Sequence, residues 1–197
     1  MKKLLSVLLI LALCAVCALA EEEEKYLPSK TTGDMTVITA TAENMPDGAS
    51  FTIKTVPVED MNEEQQELIT AELEKLKEAA SVEKYFAGAV DAKGNPVDLK
   101  ALVGTDDLKV FEFMLLSCEG YETEYGTVNL TLQFATPYEK DDVVAVMVGL
   151  PGEDGEVNWV AYDGKVIDDE GRIQVEMDPE TVDAIQNNCA LLAILSK

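Results

Sequence analysis

Read for apolar and polar positions alone, the chain changes period several times. Residues 4–16 form an unbroken run of apolar or small residues. After a polar stretch, residues 35–42 and then Phe51, Ile53 and Val56 carry the β-branched and aromatic content of two strands. Met45-Pro46-Asp47-Gly48 between them has the chemistry of a turn. One helical period follows. Ile69, Leu73, Leu76 and Ala80 recur at i, i+4, i+7 and i+11 with Glu and Lys on the opposite face, which predicts an amphipathic helix over about 61–80. Asn62 can cap it, with Gln65 three residues on as the reciprocal partner. The stripe reads as a face docked on a sheet.

From Lys84 the signal becomes that of strands. Residues 85–91 are strand-like, and Asp91-Ala92-Lys93-Gly94-Asn95-Pro96 reads as a turn. Residues 110–118 are strongly apolar. Val128, Leu130, Leu132 and Phe134 alternate with Asn129, Thr131 and Gln133, as a half-buried strand does. Residues 143–150 are continuously apolar, which predicts a strand buried on both faces. Gly152-Glu153-Asp154-Gly155 turns into a strand over 157–162, and Asp163-Gly164 reads as a tight hairpin. Ile173, Val175 and Met177 alternate again. Asp178, with Pro179 at the first helical position, starts a short helix to Asn188, and residues 189–195 form a last buried strand. Short strands at intervals of about ten to fifteen residues, separated by turn residues, predict a mainly-β domain over 35–197: a β-sandwich with one inserted amphipathic helix. A division into two subdomains near 100–108 is the variant of this reading.

The start of the chain has a separate logic. Lys2 and Lys3, the apolar run and Ala18-Leu19-Ala20 are the three parts of a cleavable secretory signal peptide in order, over residues 1–20. The run is shorter than the ~20 residues a bilayer-spanning helix needs. Cys14 and Cys17 open a lipidation alternative, but Leu13 and Val16 stand where such a signal wants a small residue. The expected product is secreted or extracellular, with residues 21–34 as a flexible acidic lead-in and no membrane attachment after cleavage.

Charge then narrows the partners. Loss of Lys2 and Lys3 with the leader takes the net charge from −23 to −25, so the surface repels nucleic acid and anionic lipid. The chain has no histidine, which removes imidazole bases, Ser-His triads and the usual zinc sites. No Gly-x-Ser-x-Gly turn and no Gly-rich phosphate loop is present. The acidic turns Glu153-Asp154-Gly155-Glu156 and Asp168-Asp169-Glu170-Gly171 lack calcium-loop spacing and are explained as hairpin turns. No cofactor or metal is therefore expected. Cys118 and Cys189 remain after cleavage. They can pair in an oxidising compartment, closing a loop of about 70 residues for roughly 4 kcal/mol, or stay as two buried thiols. Trp159, Tyr162, Tyr121, Tyr125 and Tyr138 offer either a sugar-stacking surface or core packing.

Asn44-Met45-Pro46-Asp47-Gly48-Ala49 between two strands resembles the opening turn of Ig-like, ZU5-like β-sandwich modules of secreted and cell-surface proteins in Firmicutes. A helical insert commonly follows in those modules, then a strand ending in a turn of the kind in Ala89-Val90-Asp91-Ala92-Lys93-Gly94-Asn95-Pro96-Val97. Trp159, the Asp168–Gly171 hairpin and the last apolar strand match the family's end, while residues 98–125 are longer than its pattern. The resemblance implies a non-enzymatic adhesion or scaffolding role, binding a protein or glycan at the cell envelope. A small secreted hydrolase working through carboxylates alone is the alternative. The leader reading makes a direct prediction: intact-mass analysis of exported material gives a chain starting at Glu21, whereas a mass including lipid on Cys14 or Cys17 contradicts it.

Overall fold

Eight strands are hydrogen-bonded into one antiparallel sheet in the computed structural model, which describes residues 36–134, 138–152 and 155–197. The leader, the lead-in and the turn residues Glu153 and Asp154 lie outside the described residues. In chain order the strands are β1 (Thr36–Ala42), β2 (Thr52–Thr55), β3 (Lys109–Glu119), β4 (Val128–Gln133), β5 (Val143–Pro151), β6 (Val157–Val166), β7 (Ile173–Met177) and β8 (Ala190–Ser196). The helices are α1 (Glu63–Glu78), α2 (Val82–Tyr85), α3 (Leu99–Val103) and α4 (Pro179–Asn188). The order across the sheet is β1-β4-β7-β6-β5-β8-β3-β2, and the two end strands lie close enough that the sheet nearly closes on itself. The mainly-β expectation therefore holds. All eight strands belong to one hydrogen-bonded ladder. Those on either side of 100–108 also share the sheet, since β2 pairs with β3 and β1 with β4.

The join between β6 and β7 shapes the whole. β5 and β6 pair along nine residue pairs, but β6 meets β7 only at Lys165–Gln174 and Val166–Ile173. Beyond that corner the two strands part. The β1-β4-β7 portion then lies across the inner face of the other five strands. Val128, Leu130, Leu132, Val175 and Met177 from one side share a core with Leu116, Val146, Val148, Leu192 and Ile194 from the other. α4 closes that core, burying Val182 and Ile185 in it.

A second core lies on the outer face of β3, β5, β6 and β8. Phe113, Leu115, Met147, Trp159, Leu191 and Leu195 point outward and are covered by Leu76 of α1, Val82 of α2, Phe86 and Leu99 of α3. Strands with cores on both faces lose the polar-out alternation, which is why all seven residues of β8 are buried. A bulge between Val110 and Glu112 shifts the phase of β3, so that Val110 shares the outer face with Phe113 and Leu115.

Three local expectations are corrected. The strand expected over residues 85–91 does not form: the Ser81 hydroxyl accepts the Lys84 N–H and starts a helical turn at Val82–Tyr85, and beyond it Val90 makes only isolated bridges to Pro96 and Val160. Asp163-Gly164 is no hairpin; β6 runs straight through it. Gly164 is buried there, and a Cβ on it would lie 2.7 Å from Val146 and 2.9 Å from Val144, so glycine is required for close approach. The hairpin comes later, at Asp168–Gly171. Third, the helical stripe is split. Asn62 and Gln65 form the expected capping box, but the helix stops at Glu78 and Ala80 is exposed. Leu76 is fully buried, whereas Ile69 and Leu73 are only half-buried. Leu76→Ala should lower stability in denaturant unfolding by about 2–5 kcal/mol, and Ala80→Ser should stay within about 0.5 kcal/mol. A Leu76→Ala loss under about 0.5 kcal/mol would contradict the docking of α1.

Candidate functional site

The aromatic residues singled out from the sequence do not meet on one surface. Tyr121, Tyr125 and Tyr162 belong to the inner core and Trp159 to the outer one, and all four are buried. Trp159 lies across Gly149 of β5, its register partner, and packs edge-on to Phe86 at 4.8 Å. Tyr121 is clasped by Gln186 of α4, whose side-chain oxygen accepts the Tyr121 N–H at 2.8 Å while its amide donates to the Tyr121 carbonyl at 3.0 Å. The Tyr121 hydroxyl donates to the Gly126 carbonyl at 2.7 Å, and its ring meets Tyr125 at 5.9 Å. Tyr138 is half-buried between Phe111 and Phe134. These rings pack the fold.

The cysteines are separated by the sheet. Cys118 sits in the inner core and Cys189 packs against the outer one, and both are free thiols, so the cystine considered from sequence is not formed. Burial pushes the Cys118 thiol up to about 11. Cys189, at φ 58° where α4 turns into β8, accepts a hydrogen bond from the Gln65 amide at 3.3 Å.

Carboxylates are numerous, and among the described residues Glu72 and Glu112 are buried. Glu72 faces inward from α1, taking the Tyr85 hydroxyl at 2.8 Å and the Lys75 ammonium at 2.8 Å. Burial, then Glu72, pushes the Tyr85 hydroxyl far up. This is a tie between α1 and α2. Glu112 is buried on β3. Asp168 in the acidic turn accepts the Glu170 and Arg172 N–H groups and pairs with the Arg172 guanidinium, so its oxygens are committed to the hairpin. Asp163 and Glu176 line an open hollow of about 350 Å³ where β6 and β7 part, but both side chains are exposed.

A groove of different character opens beside α1. It holds about 260 Å³ between α1 and the β2–β3 edge of the sheet, lined by Val56, Pro57, Val58, Met61, Ile69, Leu73, Phe113 and Met114, with Thr55, Gln66 and Thr70 as polar members. Its shape follows from local chemistry. β2 ends at Thr55, and Pro57 starts a 3-10 turn at Val58–Asp60 that swings the chain outward. The Asn62–Gln65 box then fixes the entry of α1, and the Gln66 amide donates back to the Met61 carbonyl at 2.9 Å. α1 thus sinks Leu76 fully at one end, while Ile69 and Leu73 pack against the outer core only half-buried. Val58, at the mouth, is 58% exposed, the largest value among the described large apolar residues. The helical stripe points Ile69 and Leu73 toward the sheet, where they pack half-buried against the outer core, but it gives no sign of Val58, for which the uneven apolar content of 56–61 is the available signal. Among the described residues no helix is long and apolar enough to cross a membrane. Comparison of the chain with protein-family models, with curated proteins and with solved structures finds no match in any of the three.

The Tyr162 contact supplies a pH test. Its hydroxyl donates to the Asp178 carboxylate and lies 2.7 Å from Thr181 Oγ1, while Asp178 also accepts the Thr181 N–H at 2.9 Å. Burial drives the Asp178 carboxyl upward, but the bonds from Tyr162 and Thr181 outweigh it and hold the group below its ordinary range. A depressed carboxyl contributes stability above its unfolded pKa near 4, and that contribution fades as pH falls through the lower folded value. Asp178→Asn keeps a good helix cap. Its Tm deficit relative to wild type should be full at pH 6 and shrink below about pH 4; a deficit constant from pH 7 to pH 2.5 would contradict the ionised Tyr162–Asp178 pair.

Proposed function

We propose that this protein is an exported, non-catalytic binding module of the cell envelope, and that it engages a protein partner through the groove between α1 and the β2–β3 edge. The observation that carries this reading is the groove itself: an apolar slot with a strongly exposed valine at its mouth and two half-buried aliphatic side chains on its wall. Exposed apolar surface rimmed by polar residues marks interaction sites, because covering it removes it from water at about 25 cal/mol per Å². The hydrolase alternative has less support. A carboxylate-only hydrolase needs its pair in a cleft that shelters it from water, and Asp163 and Glu176, which line the β6–β7 hollow, are exposed. Export follows from the leader pattern, and the adhesion role from the resemblance to Ig-like surface modules. The core folded between β1-β4-β7 and the other five strands is compatible with a sandwich-like reading of that resemblance.

Immobilised mature protein tests the proposal against solubilised envelope proteins and purified cell-wall glycan. A protein partner should be retained by wild type and by Asp163→Asn/Glu176→Gln, and lost with Val58→Asp. Release of glycan fragments that the double variant abolishes would instead establish the hydrolase. Retention on glycan unaffected by Val58→Asp would remove the groove from the function.

A further inference from the structure

The walls of the groove are apolar, but its rim has one sign of charge. Glu59 and Asp60 follow Val58 in the 3-10 turn at the mouth, and both are exposed. Along α1, the lining residues Gln66, Thr70 and Leu73 are flanked at i−3, i−3 and i+1 by Glu63, Glu67 and Glu74. Successive steps of four, three and four place Glu63, Glu67, Thr70 and Glu74 in one row along the helix, and all four are exposed. The neighbouring cations do little to offset this row. Lys54 is held at 2.7 Å by Glu119 and partly offsets Asp60 alone, Lys75 is turned to Glu72 and Glu156, and Lys77 stands beyond the far end. The entrance is therefore an apolar slot between two acidic edges.

Resting on the binding reading above, we infer that the groove takes a basic protein segment: one or two apolar anchor side chains flanked by Lys or Arg. The apolar anchor removes water from Val58, Ile69 and Leu73, and its cationic neighbours lie against the two carboxylate edges. A second copy of this chain is a poor occupant. Two chains, each carrying the −23 of the full sequence, would bring like-charged rims together. Anionic lipid is repelled for the same reason. A basic partner is also drawn in at long range, since the field of the whole chain has the same sign as the rim.

Three labelled synthetic peptides sharing a central Leu-Val-Leu and flanked on each side by two lysines, two serines or two glutamates test this by fluorescence anisotropy. At low salt the lysine peptide should bind about tenfold more tightly than the serine peptide, as a few exposed ion pairs supply, and the glutamate peptide should not bind measurably. At about 0.5 M salt the difference should fall below about threefold. Val58→Asp should weaken the lysine peptide, and Glu59→Lys/Glu63→Lys/Glu67→Lys should shift preference toward the glutamate peptide. Equal binding of the lysine and serine peptides, both lost with Val58→Asp, would overturn the charge inference and leave the groove reading standing. Lysine-peptide binding unchanged by Val58→Asp, or no binding by any peptide, would overturn both. Sedimentation showing a dimer that Val58→Asp dissociates would make the groove a contact between copies and overturn the inference of a basic partner.

Discussion

Burial of the central strands on both faces is the constraint from which the rest of this structure follows. β8 buries every residue, and β5 and the middle of β3 are buried nearly throughout. One face is covered from within, because the sheet folds over at the short β6–β7 junction and lays β4 and β7 across β5, β8 and β3. The other face must be covered from outside. The whole stretch between β2 and β3, residues 56–108, serves that end by placing three helices over Phe113, Leu115, Met147 and Leu195. At roughly 1.5–3 kcal/mol for each fully buried aliphatic or aromatic side chain, an uncovered outer face would remove much of the stability of a chain this size.

The cover is uneven, and the unevenness has local causes. α1 is fixed at its start by the Asn62–Gln65 box and at its far half by Leu76 and the Glu72–Tyr85 hydrogen bond. Between these points, Ile69 and Leu73 stand over a gap that Phe113 and Met114 floor. The helix therefore acts both as a lid on the outer core and as one wall of a groove. The proposed binding role needs no distortion of the fold, since the same helix placement that buries Leu76 leaves Val58 in water.

Much of this was legible in the sequence, and the reasons differ by element. The doubly buried strands were readable from unbroken apolar runs such as 143–150, and β4 and β7 from strict alternation. Both helix starts at Asn62 and Asp178 were readable because capping is local chemistry. Gly164 misled, since Asp-Gly signals a turn only when the glycine is not needed for close packing against Val144 and Val146. The single sheet was not legible, because strand pairing across sixty or more residues leaves no local trace. Nor was the burial of Glu72, which depends on Tyr85 arriving from the next helix. The division of the aromatic residues between two cores was hidden for the same reason: Trp159 and Tyr162 are three residues apart, and an odd spacing on a strand sends them to opposite faces. The groove is the part least visible in sequence, because it arises from the angle at which α1 meets the sheet.

The claim that this groove is the binding surface is tested most directly by methyl NMR of the protein titrated with the lysine-flanked peptide. The account predicts saturable shifts concentrated on Val58, Met61, Ile69, Leu73 and Met114, with Val144 and Val175 of the inner core unchanged. Shifts centred on Val175 beside the β6–β7 hollow, or spread thinly over the acidic surface without saturation, would contradict it.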